Sequence, residues 1–199
     1  RLAAVAPSAT LAINARAQEL RARGVNVISF GAGEPDFDTP RNIRDAAKSA
    51  IDAGRTRYTP VSGIPELRAL IAKRSTEMRG VEARPEMATV TVGAKGALFN
   101  AALALFEPGD EVVIPAPYWV SYPEQVRMMG AEPVFIPSTL EAGWKISPEA
   151  LAKALTPRTK AVILCSPSNP TGAAYTESEL AALMDAVRPH DCWIIADEI

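Results

Sequence analysis

Residues 161–172 read AVILCSPSNPTG, and residues 193–198 read WIIADE. Each stretch begins with an apolar run that lacks polar alternation and then breaks at once into polar, loop-forming residues. A strand with one solvated face alternates apolar and polar side chains. Runs such as 161–165 and 193–196 are therefore expected as central strands buried on both faces. Working outward, four further short runs read as strands, at 27–30, 89–92, 111–114 and 133–136. Longer amphipathic stretches separate them. The alternation predicts an α/β fold with a mostly parallel sheet and helices on both faces.

The helices carry their own punctuation. Thr39 before Pro40 and Ser147 before Pro148 each place an N-cap residue next to a first-turn proline. Thr176 with Glu179 forms a capping box that opens a stripe of Leu180, Leu183, Met184 and Val187. A helix over 9–23 is expected to present Leu11, Ala15 and Leu20 on one face and to stop at Gly24. Helices are also predicted over 41–53, 65–79, 95–106, 120–129 and 148–155.

Composition narrows the chemistry. The 199 residues carry 21 Lys and Arg against 23 Asp and Glu, with 48% hydrophobic residues, and mean hydropathy is +0.03. That balance argues against a disordered tail, a strongly basic nucleic-acid binder or a membrane protein. One histidine, His190, and two cysteines, Cys165 and Cys192, cannot build a four-ligand zinc site or a Ser-His-Asp triad. No metal site is expected. Both cysteines stand in apolar runs and read as reduced thiols of a cytoplasmic protein.

Open α/β sheets bind ligands beyond the carboxyl ends of their strands. The stretches to search are Gly93-Ala94-Lys95-Gly96, Ala116-Pro117-Tyr118-Trp119, the loop 166–172, and Asp197-Glu198. The Gly93 turn reads either as a phosphate cradle or as a plain helix start. Lys95 favours the first reading, because a cation in a first helical turn opposes the macrodipole by about 0.3–1 kcal/mol and an anion there relieves it. Asp197 follows four apolar strand residues, where a carboxylate is expensive without a cation or donors. It reads as a turn cap or as a partner for a protonated ligand nitrogen. Tyr118 and Trp119 put an aromatic face at the same edge.

Together these loops are specific. GAGEPDF (31–37), Y-x-x-x-x-G-I-P-E-L-R (58–68), TVGAKGALFN (91–100), PAPYWVSYPE (115–124), SPSNPTG (166–172) and ADEI (196–199) resemble, in order and spacing, the class I aminotransferases. Those are fold-type I enzymes dependent on pyridoxal 5'-phosphate (PLP), and the likeness is strongest to their bacterial aspartate aminotransferase subgroup. The resemblance implies that Asp197 meets the pyridinium nitrogen and that Asn169 donates to the cofactor's phenolic oxygen. It implies phosphate binding by the backbone N–H groups of Ala94 and Lys95 and stacking of Trp119 on the ring. Gly33 is expected to offer its N–H to the substrate α-carboxylate. Tyr58 is expected to reach a phosphate across a homodimer interface. Lys95, with Thr10 and Ser8, is expected near a distal substrate carboxylate, alongside Trp119 and Asn169.

The resemblance also sets limits. Gly96 stands where family members often carry Gln or Glu. The family's Schiff-base lysine and its α-carboxylate arginine are expected beyond Ile199, and none of Lys48, Lys73, Lys95, Lys145, Lys153 and Lys160 stands in the family's lysine context. The chain opens at Arg1 without a methionine and stops after an apolar run, so it is expected to be about the N-terminal half of the protein. Residues 1–38 would form an N-terminal arm with a segment of the small domain, and 39–199 the first part of the large PLP-binding domain. The implied activity is ping-pong transamination, with aspartate and 2-oxoglutarate as first substrates, by the full-length protein and not by this piece alone. The alternatives are a PLP-dependent carbon–sulfur lyase or other fold-type I enzyme, and a non-enzymatic PLP-binding regulatory domain.

Overall fold

The computed structural model describes residues 9–31 and 33–199. The chain forms two compact units, one built on residues 98–199 and one on residues 10–97.

The 98–199 unit holds an all-parallel sheet of four strands, β1 (Glu111–Ala116), β2 (Glu132–Pro137), β3 (Thr159–Cys165) and β4 (Trp193–Asp197), in the order β2-β1-β3-β4. Successive side chains of a strand point to opposite faces, and both faces of this sheet are covered. Val112, Ile114, Ala161 and Ile163 pack on one face against Ala102, Phe106, Tyr122 and Val126. These come from α4 (Gly93–Leu105) with the residue after it, and from α5 (Ser121–Met128). Val113, Val162 and Leu164 pack on the other face against Leu151, Leu183 and Val187, which come from α6 (Pro148–Ala154) and α7 (Glu177–Val187). Val112, Val113 and Val162 are 0% exposed, each worth about 1.5–3 kcal/mol of burial. Two covered faces explain why these runs contain no polar alternation.

The helix signals of this unit hold. Ser147 Oγ accepts from the Ala150 N–H at 3.2 Å. Thr176 and Glu179 form the full capping box, and Leu183 and Val187 of the predicted stripe are buried.

Three strand expectations need correction. Among the described residues β4 pairs with β3 alone and so stands at the margin of this sheet, and Trp193 is 57% exposed. An apolar run reports burial above and below a strand but carries no record of its lateral neighbours. Residues 27–30 and 89–92 are extended without being strands, because no ladder partner lies beside them among the described residues. Their Ile28, Phe30 and Val92 side chains are largely exposed.

The 10–97 unit contains most of α1 (Ala9–Ala22), then α2 (Arg41–Asp52), α3 (Pro65–Arg79) and a 3-10 turn at Pro85–Met87. Arg68 Nε donates to the Ala88 carbonyl at 2.8 Å, and Thr76 Oγ1 accepts from the Ala83 N–H at 2.9 Å, tying α3 to the segment after it. Gly63, at φ +103°, lies so close to Val90 that a Cβ would come within 2.7 Å of Cγ2. Two local expectations fail here. Pro40 is itself the N-cap of α2, with no side-chain cap bond, so Thr39 lies one residue outside the helix. On α1, Leu11 and Ala15 are exposed and Ala17 is the buried residue. No helix among the described residues is long and apolar enough to cross a membrane.

Candidate functional site

The carboxyl edge of the sheet gathers three chain segments. β1 runs out at Ala116 into Pro117, Tyr118 and Trp119 just ahead of α5. β3 runs into the loop 166–172. β4 ends on Asp197, which stands beside Cys165 in the β3–β4 ladder.

Asp197 is partly buried. Its Oδ2 accepts a 2.6 Å hydrogen bond from the hydroxyl of Tyr122, in the first turn of α5. Its backbone carbonyl accepts from the Ser166 N–H at 3.1 Å, which joins the strand end to the neighbouring loop. Tyr122 is 2% exposed, and Trp119 meets its ring edge-on, with centroids 5.4 Å apart and planes at 82°. Burial, and then the bond to Asp197, push the Tyr122 phenol far above its usual range. It therefore remains a protonated donor at any working pH. Among the described residues, Asp197 makes no ion pair. A partly buried carboxylate with a neutral donor on one oxygen suits a cationic ligand group.

The loop 166–172 is closed on itself. Ser168 N–H donates to the Ala173 carbonyl at 2.8 Å and Gly172 N–H to the Ser168 carbonyl at 2.7 Å. Ser166 Oγ accepts from the Tyr175 N–H at 3.1 Å. The Ser166-Pro167 and Asn169-Pro170 peptides are cis, as is Ala116-Pro117. Asn169 stands exposed in this loop. Tyr118 is engaged elsewhere, stacked on Phe135 of β2 at 4.8 Å and 16°.

The remaining expected site residues belong to the 10–97 unit. Gly93 opens α4 with φ +72°, and a Cβ there would meet no atom within 4 Å, so backbone conformation and not crowding calls for glycine. Ala94 and Lys95 follow in the first turn, both exposed. A helix directs its first N–H groups outward along its axis, which suits an anion such as phosphate. Thr91 Oγ1 donates to the Gly93 carbonyl at 2.8 Å and braces this turn. Tyr58 is fully exposed on the loop between α2 and α3. Gly33 is exposed with open space around its Cα, and Thr10 is half-buried in the first turn of α1. Ser8 lies outside the described residues.

Trp119, Asn169 and Asp197 thus share one sheet edge. Tyr122 is the member that residue-by-residue reading passed over. Its signal was present as an aromatic three positions after Trp119, a spacing that places both on one side of a helical turn. Among the described residues no group of three or more His, Cys, Asp or Glu is placed to hold a metal ion.

A doubly covered parallel sheet with an Asn-Pro loop, an indole and a strand-end carboxylate at its carboxyl edge defines an α/β protein with a candidate ligand site at that edge. The model of the family "Aminotransferase class I and II" matches residues 25–199, and the chain belongs to that family. It is 54% identical over its whole length to the aspartate/prephenate aminotransferase of Cereibacter sphaeroides, of which it covers 50%. It is 51% identical to the aspartate aminotransferase of Geobacillus stearothermophilus, of which it covers 51%. Among solved structures, the aspartate aminotransferase of Thermus thermophilus with maleate superposes with a TM-score of 0.96 at 47% identity. That match covers 100% of this chain and 52% of the other. The chain spans about half the length of the curated relatives it matches.

Proposed function

We propose that the full-length protein is a PLP-dependent aminotransferase that moves the α-amino group of aspartate to 2-oxoglutarate by a ping-pong mechanism. The observation that carries this reading is the Asp197 carboxylate at the end of β4, held by Tyr122 beside Trp119. It stands in a chain about half identical to proteins named aspartate aminotransferase.

When bound, PLP supplies an electron sink for the pair left behind as the substrate's α-proton departs. The chain's own residues bind and orient. Asp197 pairs with the ring nitrogen and keeps it protonated. Trp119 covers the ring face, and Asn169 donates toward the phenolic oxygen. The N–H groups of Ala94 and Lys95 hold the phosphate. Gly33 offers its N–H to the substrate α-carboxylate, while the Lys95 ammonium, near Thr10, pairs with the distal one. Tyr58 reaches the phosphate of a second subunit, making the protein a homodimer, and its exposure on a loop is consistent with that role. In this reading residues 1–38 form the arm and small-domain segment, and 39–199 the first part of the large domain. The protein works in the cytoplasm, in keeping with its two free cysteines.

The half-reaction tests this. Full-length protein given aspartate alone should release one equivalent of the 2-oxo acid per site and no ammonia, and should resume when 2-oxoglutarate is added. Continuous ammonia release would instead identify a lyase. Prephenate is the second acceptor to test, because the Cereibacter relative's name includes it.

A further inference from the structure

Tyr122 lies behind the residues assigned to the cofactor, and its arrangement exceeds what packing needs. A buried tyrosine satisfies its hydroxyl with any acceptor; this one uses a carboxylate 75 positions away in sequence, on a different element, at 2.6 Å. The ring cannot drift: it is 2% exposed, packed in the α5 face of the core, and braced edge-on by Trp119. The bond therefore fixes the Asp197 side chain from a rigid support.

We propose that Tyr122 is the positioning residue for Asp197: its phenol occupies Oδ2 and holds the carboxylate in place for the cofactor's ring nitrogen. The proposal rests on the PLP reading above. A phenol holds the carboxylate without adding positive charge, whereas an arginine or lysine in its place would neutralise Asp197 and compete with the ring nitrogen for it. The phenol's own titration lies far too high to interfere. Positioning acts on the ring nitrogen alone, so it should be absent for a cofactor that lacks this atom.

The test uses cofactor-free full-length protein with two probes, PLP and its 1-deaza analogue, in which carbon replaces the ring nitrogen. Tyr122→Phe removes one oxygen and leaves the ring against Trp119. PLP affinity should fall about ten-fold, the loss expected for a hydrogen bond to a charged group, while affinity for the deaza analogue changes less than two-fold. Equal losses for both probes, or no loss for either, would overturn the proposal and leave Tyr122 a packing residue. Should Tyr122→Phe fail to fold, 3-fluorotyrosine placed at 122 preserves shape and strengthens the donor. It should then tighten PLP and not the deaza analogue, and an unchanged or weakened PLP affinity would count against the idea. If the unaltered full-length protein binds no PLP, the functional reading itself fails, an outcome distinct from the others.

Discussion

Arg158 grips Glu111 at the amino end of β1: Nε donates to Oε1 at 3.0 Å, Nη2 reaches the same oxygen, and Thr156 Oγ1 donates to Oε2 at 2.6 Å. Glu111 is buried and Arg158 mostly exposed. The sheet thus carries an acid at each end, and their partners distinguish them. Glu111 has a cation and a hydroxyl supplied by its own unit, which makes it a structural anion. Asp197, at the opposite end, has a neutral phenol and no cation among the described residues, which leaves its charge for a ligand.

The Glu111 cluster makes stability depend on acid. The Thr156 hydroxyl, and then Arg158, hold the Glu111 carboxyl below its usual 4.5. A depressed carboxylate stabilises the fold fully above its unfolded value and loses that contribution as pH falls through the folded one. Arg158→Ala should therefore lower the urea midpoint at pH 7, and the loss should shrink as pH falls through the folded-state value. A loss of the same size at every pH would mean that Arg158 acts by packing.

A second carboxylate gives a site-resolved measurement. Lys145 Nζ lies 2.8 Å from Glu179 Oε2, and the same oxygen accepts from the Thr176 N–H at 2.7 Å. Lys145 first, and then the Thr176 backbone, bring the Glu179 carboxyl down to about 2. In Lys145→Met the side-chain signal of Glu179, followed by NMR, should titrate higher while staying below 4.5, because the capping bond persists. The contribution of Glu179 to the stability of α7 is then smaller, and its loss on acidification is complete at a higher pH.

Much of this fold could be read in the sequence where one physical cause produced one pattern. Both faces of β1 and β3 are covered, so EVVI and AVILC carry no alternation; Leu183 and Val187 fall on the inner side of a capped helix. The same signal says less about β4, because lateral pairing leaves no mark on side-chain type and β3 alone stands beside it among the described residues. It fails at 27–30 and 89–92, where extended, apolar chain lacks a described partner. The motifs single out Trp119, Asn169 and Asp197, and the structure brings all three to the carboxyl edge of the sheet. Tyr122 was hidden because a buried aromatic in a helix looks the same whether its hydroxyl meets solvent, a carbonyl or a functional acid.

The α7 stripe yields a direct packing test. Leu183 is 0% exposed in the core between α6, α7 and the sheet. Leu183→Ala removes buried methyl groups and leaves a cavity, a loss of about 2–5 kcal/mol. Chemical denaturation should show it as a lower midpoint with an unchanged slope.

Gly93 and Gly96 share one helical turn and should respond in opposite directions. At Gly96 a Cβ would stand 3.7 Å from Thr91 Cβ, an ordinary contact. Gly96→Ala therefore gains helix propensity, about 0.5–1 kcal/mol. At Gly93 space is open but φ is +72°, and an L side chain in that conformation costs about 1–2 kcal/mol. Gly93→Ala should destabilise by that amount and weaken phosphate affinity, while Gly96→Ala leaves phosphate affinity unchanged. A loss of phosphate affinity in Gly96→Ala would mean that the cradle depends on more than backbone N–H groups.

Lys95 bears on substrate choice. It is exposed in the first turn of α4, where a cation opposes the helix dipole by about 0.3–1 kcal/mol. An anion drawn to that turn offsets the conflict. In the reading proposed above, the cofactor phosphate is held by backbone N–H groups and the ammonium pairs with a second anion, the distal carboxylate of a dicarboxylic amino acid. That carboxylate is what aspartate has and alanine lacks. In the full-length protein Lys95→Ala should lower kcat/KM for aspartate by roughly ten-fold or more, the range for losing a charge-assisted contact. The value for alanine should change little, because alanine carries nothing for the ammonium to pair with. If the two substrates lose equally, Lys95 serves the cofactor; if their ratio is unaltered and neither loses, it serves neither site.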